Sequence, residues 1–484
     1  MPQTFQNYID GQWAGSSDGK TFEQRNPANL EDVTGLWPAS TRDDARRAIA
    51  AAQKAFPDWA RLSPLKRADY LKAALEAMKR RRDELAEVLT RENGKTIAES
   101  KIEIDAAIKE MEFQIHEGVR LGGQTVASAF EGVFAYSVRQ PLGVVSIISP
   151  WNFPFNVPGR KGTPALMAGN TVVFKPASLT PQTGLKFVEL FIEAGLPPGV
   201  LNFITGGGST VGDEMITHPA IKAISFTGST AVGRSIHQKA AQIMARTQLE
   251  MGGKNPLVVL EDADLELAAK SAVTGAYACA GQWCTSTSRV VVVKRIAAEF
   301  IERVRSLASA LVVGDGRDSK TTMGPVCGTE QLKGILNYIE IGKREGARLL
   351  LGGNRLTGPA YDKGCFIAPT LFADVTPSMT IAREEIFGPV LSILEAADFE
   401  QAIEIANGVE FGLASSIYTS DLGKAFTFLE RTEVGLTHVN LVTALKEPQL
   451  SFGGIKASGY GIPEAGKTGI EFFTEHKVAY VKYR

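Results

Sequence analysis

Three side chains are of the kinds that acyl chemistry uses, and each stands at a break in the local pattern. Cys284 lies in Gly281-Gln-Trp-Cys-Thr-Ser-Thr-Ser-Arg289, between an apolar run (Leu267 to Ala280) and a β-branched run (Val290 to Val293). That spacing places it on a short connection between a helix and a strand. Its neighbours are small and polar, so the sulfur is reachable. A reachable thiolate on a firm scaffold is a nucleophile; the alternative is one more buried cysteine. Asn152 lies in Ser149-Pro-Trp-Asn-Phe-Pro-Phe155, where two prolines and the aromatic residues hold it rigid. A fixed amide NH₂ is the donor an oxyanion hole requires. Glu250, in Leu249-Glu-Met-Gly-Gly-Lys-Asn-Pro256, stands at a strand end beside glycines, where a carboxylate can act as general base. Taken singly, Asn152 and Glu250 also read as ordinary turn residues.

Two further segments have the chemistry of a nucleotide site. Phe226-Thr-Gly-Ser-Thr-Ala-Val-Gly233 follows a strand and opens a helix, so its amides and the Ser229 hydroxyl can hold a pyrophosphate. The usual Gly-rich fingerprint is absent after the first sheet strand. Lys175 closes a strand in Val-Val-Phe-Lys-Pro-Ala-Ser, on the ligand side of a parallel sheet.

The elements that must position these groups follow from periodicity. Short strands and turns over 5–36, with Asp10-Gly11 and Asp18-Gly19 as turn signals, precede a helix opened at Thr41 and running to about Phe56. Ser63-Pro64 starts another helix. Lys79-Arg80-Arg81-Arg82 reads as a solvated helix face. A third helix, about Ile97 to Val119, turns Ile102, Ile104, Ile108, Met111 and Ile115 to a core. From Gly143 the pattern alternates strand and helix. Strands fall at 143–148 (a near-continuous apolar run), 171–175, 201–204 and 223–226, with helices at 182–194, 211–218 and 231–246. A second series has strands at 256–260, 290–294, 348–351 and 390–394, with helices at 263–280, 297–310, 329–346 and 399–407. Such alternation means an α/β protein with doubly wound parallel sheets. The tail, Phe472 to Tyr483, is one more strand, which must pair with another element or another subunit.

The 484 residues exceed one core. A net charge of −1 gives no electrostatic case for nucleic acid or an anionic membrane. Four cysteines are too few for a disulfide framework, which points to a reduced, cytoplasmic setting. The five histidines lack metal-ligand spacing, so no metal is expected. The N-terminal residues do not read as a signal peptide, and no run is apolar over the roughly 18 residues a membrane span needs.

SPWNFP, VVFKPAS, FTGST, LEMGGKNP, GQWCTSTSR, EEIFGPV and SFGGIKASGYG occur in one order along the chain. In these motifs the sequence resembles the aldehyde dehydrogenase superfamily over essentially its whole length. The resemblance implies two Rossmann-like domains, one cofactor-binding (1–122 and 142–252) and one catalytic (253–460). A small β oligomerisation element (123–141 and 461–484) implies a homodimer or homotetramer. It implies Cys284 as nucleophile, Glu250 as general base and Asn152 as oxyanion donor. Lys175 matches the lysine at the adenosine ribose, and Gly228 and Ser229 the pyrophosphate contact. Glu385 matches the carboxylate at the nicotinamide ribose, with Phe387 and Trp151 beside it. Glu464 matches a carboxylate of the proton-exit route, though its family partner arginine is Pro463 here. The cofactor is NAD or NADP. Ser178 stands where NAD-selective relatives often carry Glu, so NADP is expected to be accepted.

For the substrate, Arg160 aligns with an arginine that some semialdehyde dehydrogenases use on a distal carboxylate; its alternative is a structural salt bridge. The succinate-semialdehyde group's second arginine is Ala278 here. The loop Val439 to Leu450 and the tail Glu471 to Lys477 look closer to α-ketoglutaric semialdehyde dehydrogenases, and Lys446 is a candidate second anion contact. Trp283, Phe155 and Tyr277 equally suit a pocket for an aromatic or aliphatic aldehyde. A CoA-acylating enzyme and an inactive scaffold are the competing classes; Glu250 argues for hydrolysis.

Overall fold

The computed structural model describes residues 2–484. Its first sheet has eight strands, in the order Gln12–Ala14, Asn7–Ile9, Leu201–Phe203, Thr171–Lys175, Val144–Ile148, Ile221–Thr227, Arg246–Glu250 and Gly459–Tyr460. The five central strands are parallel. Chain order reverses between Val144–Ile148 and Ile221–Thr227, and a doubly wound sheet opens its ligand crevice at such a switch point. Alternate residues face opposite sides. Val145, Ile147, Val172 and Phe174 pack into one apolar cluster, and Val144, Val173, Ile224 and Leu249 into another. Both faces are covered, which is why Gly143-Val-Val-Ser-Ile-Ile reads as a near-continuous apolar run.

The second sheet has seven strands, ordered Arg348–Leu351, Thr370–Ala373, Val390–Ala396, Thr287–Val293, Asn255–Val259, Ala414–Tyr418 and Leu436–Val439. All pairs are parallel except the first. A third, three-stranded sheet pairs Thr474–Lys482 antiparallel with Val133–Pro141, which also pairs with Thr125–Val126. The terminal strand therefore finds its partner within its own chain.

The helix starts follow the capping chemistry. Thr41 and Asp44 form a capping box on Arg42–Arg61, and Ser63 caps Pro64–Arg80. The first helix passes Phe56 and carries Pro57 inside it. A helix at Arg82–Asn93, not expected from the sequence, is hidden by the basic run at its start. Those arginines pair outward, Arg80 with Glu193, Arg81 with Glu189 and Arg82 with Asp105. Helix Ile97–Val119 buries Ile104, Met111 and Ile115, but Ile102 is 66% exposed rather than in the core. Strands Thr370–Ala373, Ala414–Tyr418 and Leu436–Val439 add to the sequence-expected set.

Candidate active site

The cleft lies where the carboxyl ends of the first sheet's strands meet the second sheet. Val144–Ile148 runs into the Ser149–Phe155 loop, and Ile221–Thr227 runs into Gly228 and helix Thr230–Ala240. Glu250 ends its own strand. Cys284 approaches from the other side, three residues before strand Thr287–Val293. Trp151, Asn152, Gly228, Ser229, Cys284, Glu385 and Phe387 line one cleft of about 220 Å³. A separate hollow of about 340 Å³ between Arg234, His237 and Tyr460 contains no nucleophile.

The chain reaches Cys284 through three consecutive left-handed residues, Cys279 (φ 51°), Ala280 (φ 54°) and Gly281 (φ 69°). For the two non-glycine residues this costs about 1–3 kcal/mol each. At Gly281 a Cβ would sit 2.1 Å from the Gly388 carbonyl, so only glycine fits. Asn255 then fixes the Cys284 segment. Its Nδ2 donates to the carbonyls of Cys284 and Ser286, both at 2.8 Å, and its Oδ1 accepts from the Ala414 N–H at 3.0 Å. The Asn152 amide is buried and donates one proton to the Gln282 carbonyl, 3.0 Å away, two residues before the sulfur. Gln282 is itself anchored, its Oε1 accepting from the Cys327 N–H.

Glu250 is buried and Cys284 and Glu385 are partly exposed, and the electrostatics follow that burial. Burial pushes the Cys284 thiol up to about 11; Glu385 and Glu250 add to the rise, while Arg160 and Lys446 oppose it. Burial pushes Glu250 up to about 8 against the pull of Lys161 and Arg160, and its Oε2 accepts from the Gly454 N–H at 3.3 Å. Glu385, pushed up to about 7 by burial, accepts from the Gly253 N–H at 2.9 Å. A Cβ on Gly252 would lie 2.2 Å from that carboxylate.

The cofactor-type residues keep ligand-facing groups open. Lys175 is buried, and its ammonium, pushed down to about 8 by burial, donates only to the Pro176 carbonyl at 3.2 Å among the described residues. Ser229 precedes helix Thr230–Ala240 without capping it, so the first N–H groups of that helix are free to meet an anion. Trp151 and Phe387 meet edge to face, centroids 5.3 Å apart. Ser178 is exposed in the turn after Lys175. A dinucleotide fits this donor set: an anion-binding helix start, a sparsely partnered buried lysine and a carboxylate set against glycine.

The substrate candidates separate. Phe155 does not line a pocket: it is fully buried in the core of the first sheet, edge to face with Phe187. Tyr277 is likewise buried, its hydroxyl donating to the Thr370 carbonyl. Trp283 stands beside Cys284, edge to face with Phe153. Arg160 is buried, with its Nε 2.8 Å from Glu464 Oε2, a charge contact lacking hydrogen-bond alignment. Its guanidinium lies over the Phe452 ring at 4.3 Å. Lys446 approaches the same ring at 5.8 Å and donates from Nζ to Asn156 Oδ1 at 3.0 Å. Lys446 as a residue is exposed, yet its ammonium turns inward and is pushed down to about 8 by burial and by Arg160. Glu464 is paired by Arg160 and by the buried Lys161, which take the place of an arginine at position 463. Lys161 and Asn255 were not singled out in the sequence. Adjacent cations within a fully buried helix, Asn156–Met167, are the signal that a carboxylate must lie opposite.

Comparison with known proteins agrees with this geometry. The model of the aldehyde dehydrogenase family matches residues 13–479. An alpha-ketoglutaric semialdehyde dehydrogenase of Bacillus subtilis is 42% identical over 479 residues, 99% of this chain and 98% of that protein. A betaine aldehyde dehydrogenase of Rhizobium etli is 40% identical, covering 98% of this chain and 96% of its own. The crystal structure of a betaine aldehyde dehydrogenase from Staphylococcus aureus in complex with NAD+ superposes with a TM-score of 0.96 at 34% identity, over 99% of this chain and 95% of that one. The chain belongs to the aldehyde dehydrogenase family.

Proposed function

We propose that this enzyme oxidises an anionic semialdehyde, of the class of α-ketoglutaric semialdehyde, to its carboxylic acid with NAD+ or NADP+. The carrying observation is that Cys284 and Asn152 share one cleft, and that Cys284 packs against the cluster of Phe452, whose ring is approached by two cations, Lys446 and the Glu464-paired Arg160. Those cations flank the Phe452 ring and suit a distal carboxylate; they disfavour a quaternary ammonium such as betaine aldehyde.

Lys175, Ser229, Glu385, Trp151 and Phe387 would hold the dinucleotide, whose nicotinamide supplies the hydride acceptor when bound. Cys284 Sγ, deprotonated, attacks the aldehyde carbon and forms a thiohemiacetal. The Asn152 amide and the Cys284 N–H stabilise the oxyanion, roughly 3 kcal/mol for one donor. Departure of hydride from that carbon leaves a thioester on sulfur. Glu250 takes a proton from water, the hydroxide adds to the acyl carbon, and the C–S bond breaks to release acid and thiolate. Glu250 favours hydrolysis over transfer to CoA. The exposed apolar side chains Phe130, Phe134, Val478 and Tyr480 on and beside the three-stranded sheet support a homodimer or homotetramer.

Cys284→Ala is expected to abolish turnover. Glu250→Gln is expected to keep a burst of reduced cofactor and stall afterwards. Because the Glu250 carboxyl is raised to about 8, its base form accumulates only as pH rises through 8. The wild-type deacylation rate should therefore climb across pH 7–9, and a flat profile in rapid-quench assays would contradict Glu250 as the base. In a kinetic matrix of two cofactors and four aldehydes, kcat/KM should favour the ω-carboxylated aldehyde over hexanal, benzaldehyde and betaine aldehyde by roughly 10- to 100-fold, the scale of one charged contact. NADP+ should support turnover within a hundredfold of NAD+, since Ser178 puts no carboxylate against a 2′-phosphate. Light scattering should give a mass of at least twice the chain's 52.0 kDa; a monomer would refute the interface.

A further inference from the structure

We propose that Lys95, with Glu103 and Asn93, is a positioning element that aims the Asn152 amide at the nucleophile. This rests on Asn152 being the oxyanion donor, as proposed above. The three residues lie on one stretch: the end of helix Arg82–Asn93, the left-handed Gly94 (φ 96°), and the start of helix Ile97–Val119. Their polar atoms converge on the backbone around Asn152. Asn93 Nδ2 donates to the Trp151 carbonyl at 2.8 Å, and Lys95 Nζ donates to the Asn152 carbonyl at 2.8 Å. Glu103 Oε1 accepts from the Phe155 and Asn156 N–H groups at 2.9 and 3.1 Å. Lys95 and Glu103 close the set with a 2.5 Å ion pair, and the ammonium also sits 4.1 Å from the centre of the Phe153 ring.

Both charges are fully buried, at 2% exposure each. A buried ion pair usually gains little over apolar packing, so stability alone is a weak reason for this one. Burial by itself would push the Lys95 ammonium down, but Glu103, with Cys279 and Glu99, outweighs it and the net direction is up, so the carbonyl of Asn152 faces a cation. The same stretch also grips the nucleophile side. Glu99 Oε1 accepts from the Cys279 N–H at 2.6 Å, while Glu99 Oε2 accepts from the Thr96 N–H at 2.8 Å. One segment thus sets the distance between the loop bearing Asn152 and the segment bearing Cys284. A misplacement of about 1 Å in such a pair costs on the order of a hundredfold in rate.

The test is single-turnover hydride transfer, with enzyme and NAD+ in excess over aldehyde, in Lys95→Met/Glu103→Gln. This pair removes both charges together and keeps a carbonyl acceptor for Phe155 and Asn156. The rate constant should fall roughly 10- to 100-fold, with KM for NAD+ within about twofold of wild type. In an Asn152→Ala background the same pair should change the rate by less than about twofold. A merely structural role would lower the amplitude of competent sites and leave the rate constant per site unchanged; that outcome, or equal losses in both backgrounds, overturns the proposal. Should the pair fail to fold, Asn93→Leu decides: a threefold or greater fall in the same rate constant supports the role, and a wild-type value refutes it. If Asn152→Ala alone leaves the rate intact, the oxyanion assignment fails first, and the positioning role falls with it.

Discussion

Burial around one thiol and two carboxyls governs this molecule. Glu250 is buried and Cys284 and Glu385 are partly so, and all three are driven toward their neutral forms. With Cys284 pushed up to about 11, the neutral thiol dominates at pH 7. The same burial strengthens the dipoles around the sulfur. A positive charge beside the sulfur would favour its thiolate.

The two sheets exist in the form they do because of that cleft. The first sheet delivers Asn152, Glu250 and the Gly228-Ser229 turn from the ends of neighbouring parallel strands at its switch point. The second delivers the thiol before a strand whose first residues are tied down by Asn255. Three left-handed residues bend the chain into place, and glycines at 252 and 281 leave room for a carboxylate and a carbonyl where side chains would collide. Buried Arg160, Lys161 and Glu464 are tolerated because each finds an opposite charge.

Local chemistry made much of this legible from the residues alone. The Thr41 and Ser63 caps, the near-continuous apolar run at 143–148 and the turn at Gly228 each carry a short-range signal that the fold obeys. What escaped is long-range. Arg160 and Glu464 are far apart in sequence, and the adjacent cations at 160 and 161 call for a carboxylate without saying which one. Phe155 and Tyr277 sit beside reactive motifs, which suggested a pocket, but their side chains turn into the core. Helix Arg82–Asn93 is masked because its basic start continues the pattern of the helix before it. Ile102 fits helical spacing yet points to solvent, since an apolar residue outside the stripe costs little.

The central claim is that burial holds the Cys284 thiol protonated until a positive charge reaches it. The most direct measurement is the pH dependence of Cys284 carbamidomethylation by iodoacetamide, followed by mass spectrometry with and without NAD+. The account predicts slow labelling at pH 7 that rises with no plateau below pH 9 in the free enzyme, and at least tenfold faster labelling at pH 7 with NAD+ bound. Rapid labelling of the free enzyme with an inflection below pH 8 would contradict it.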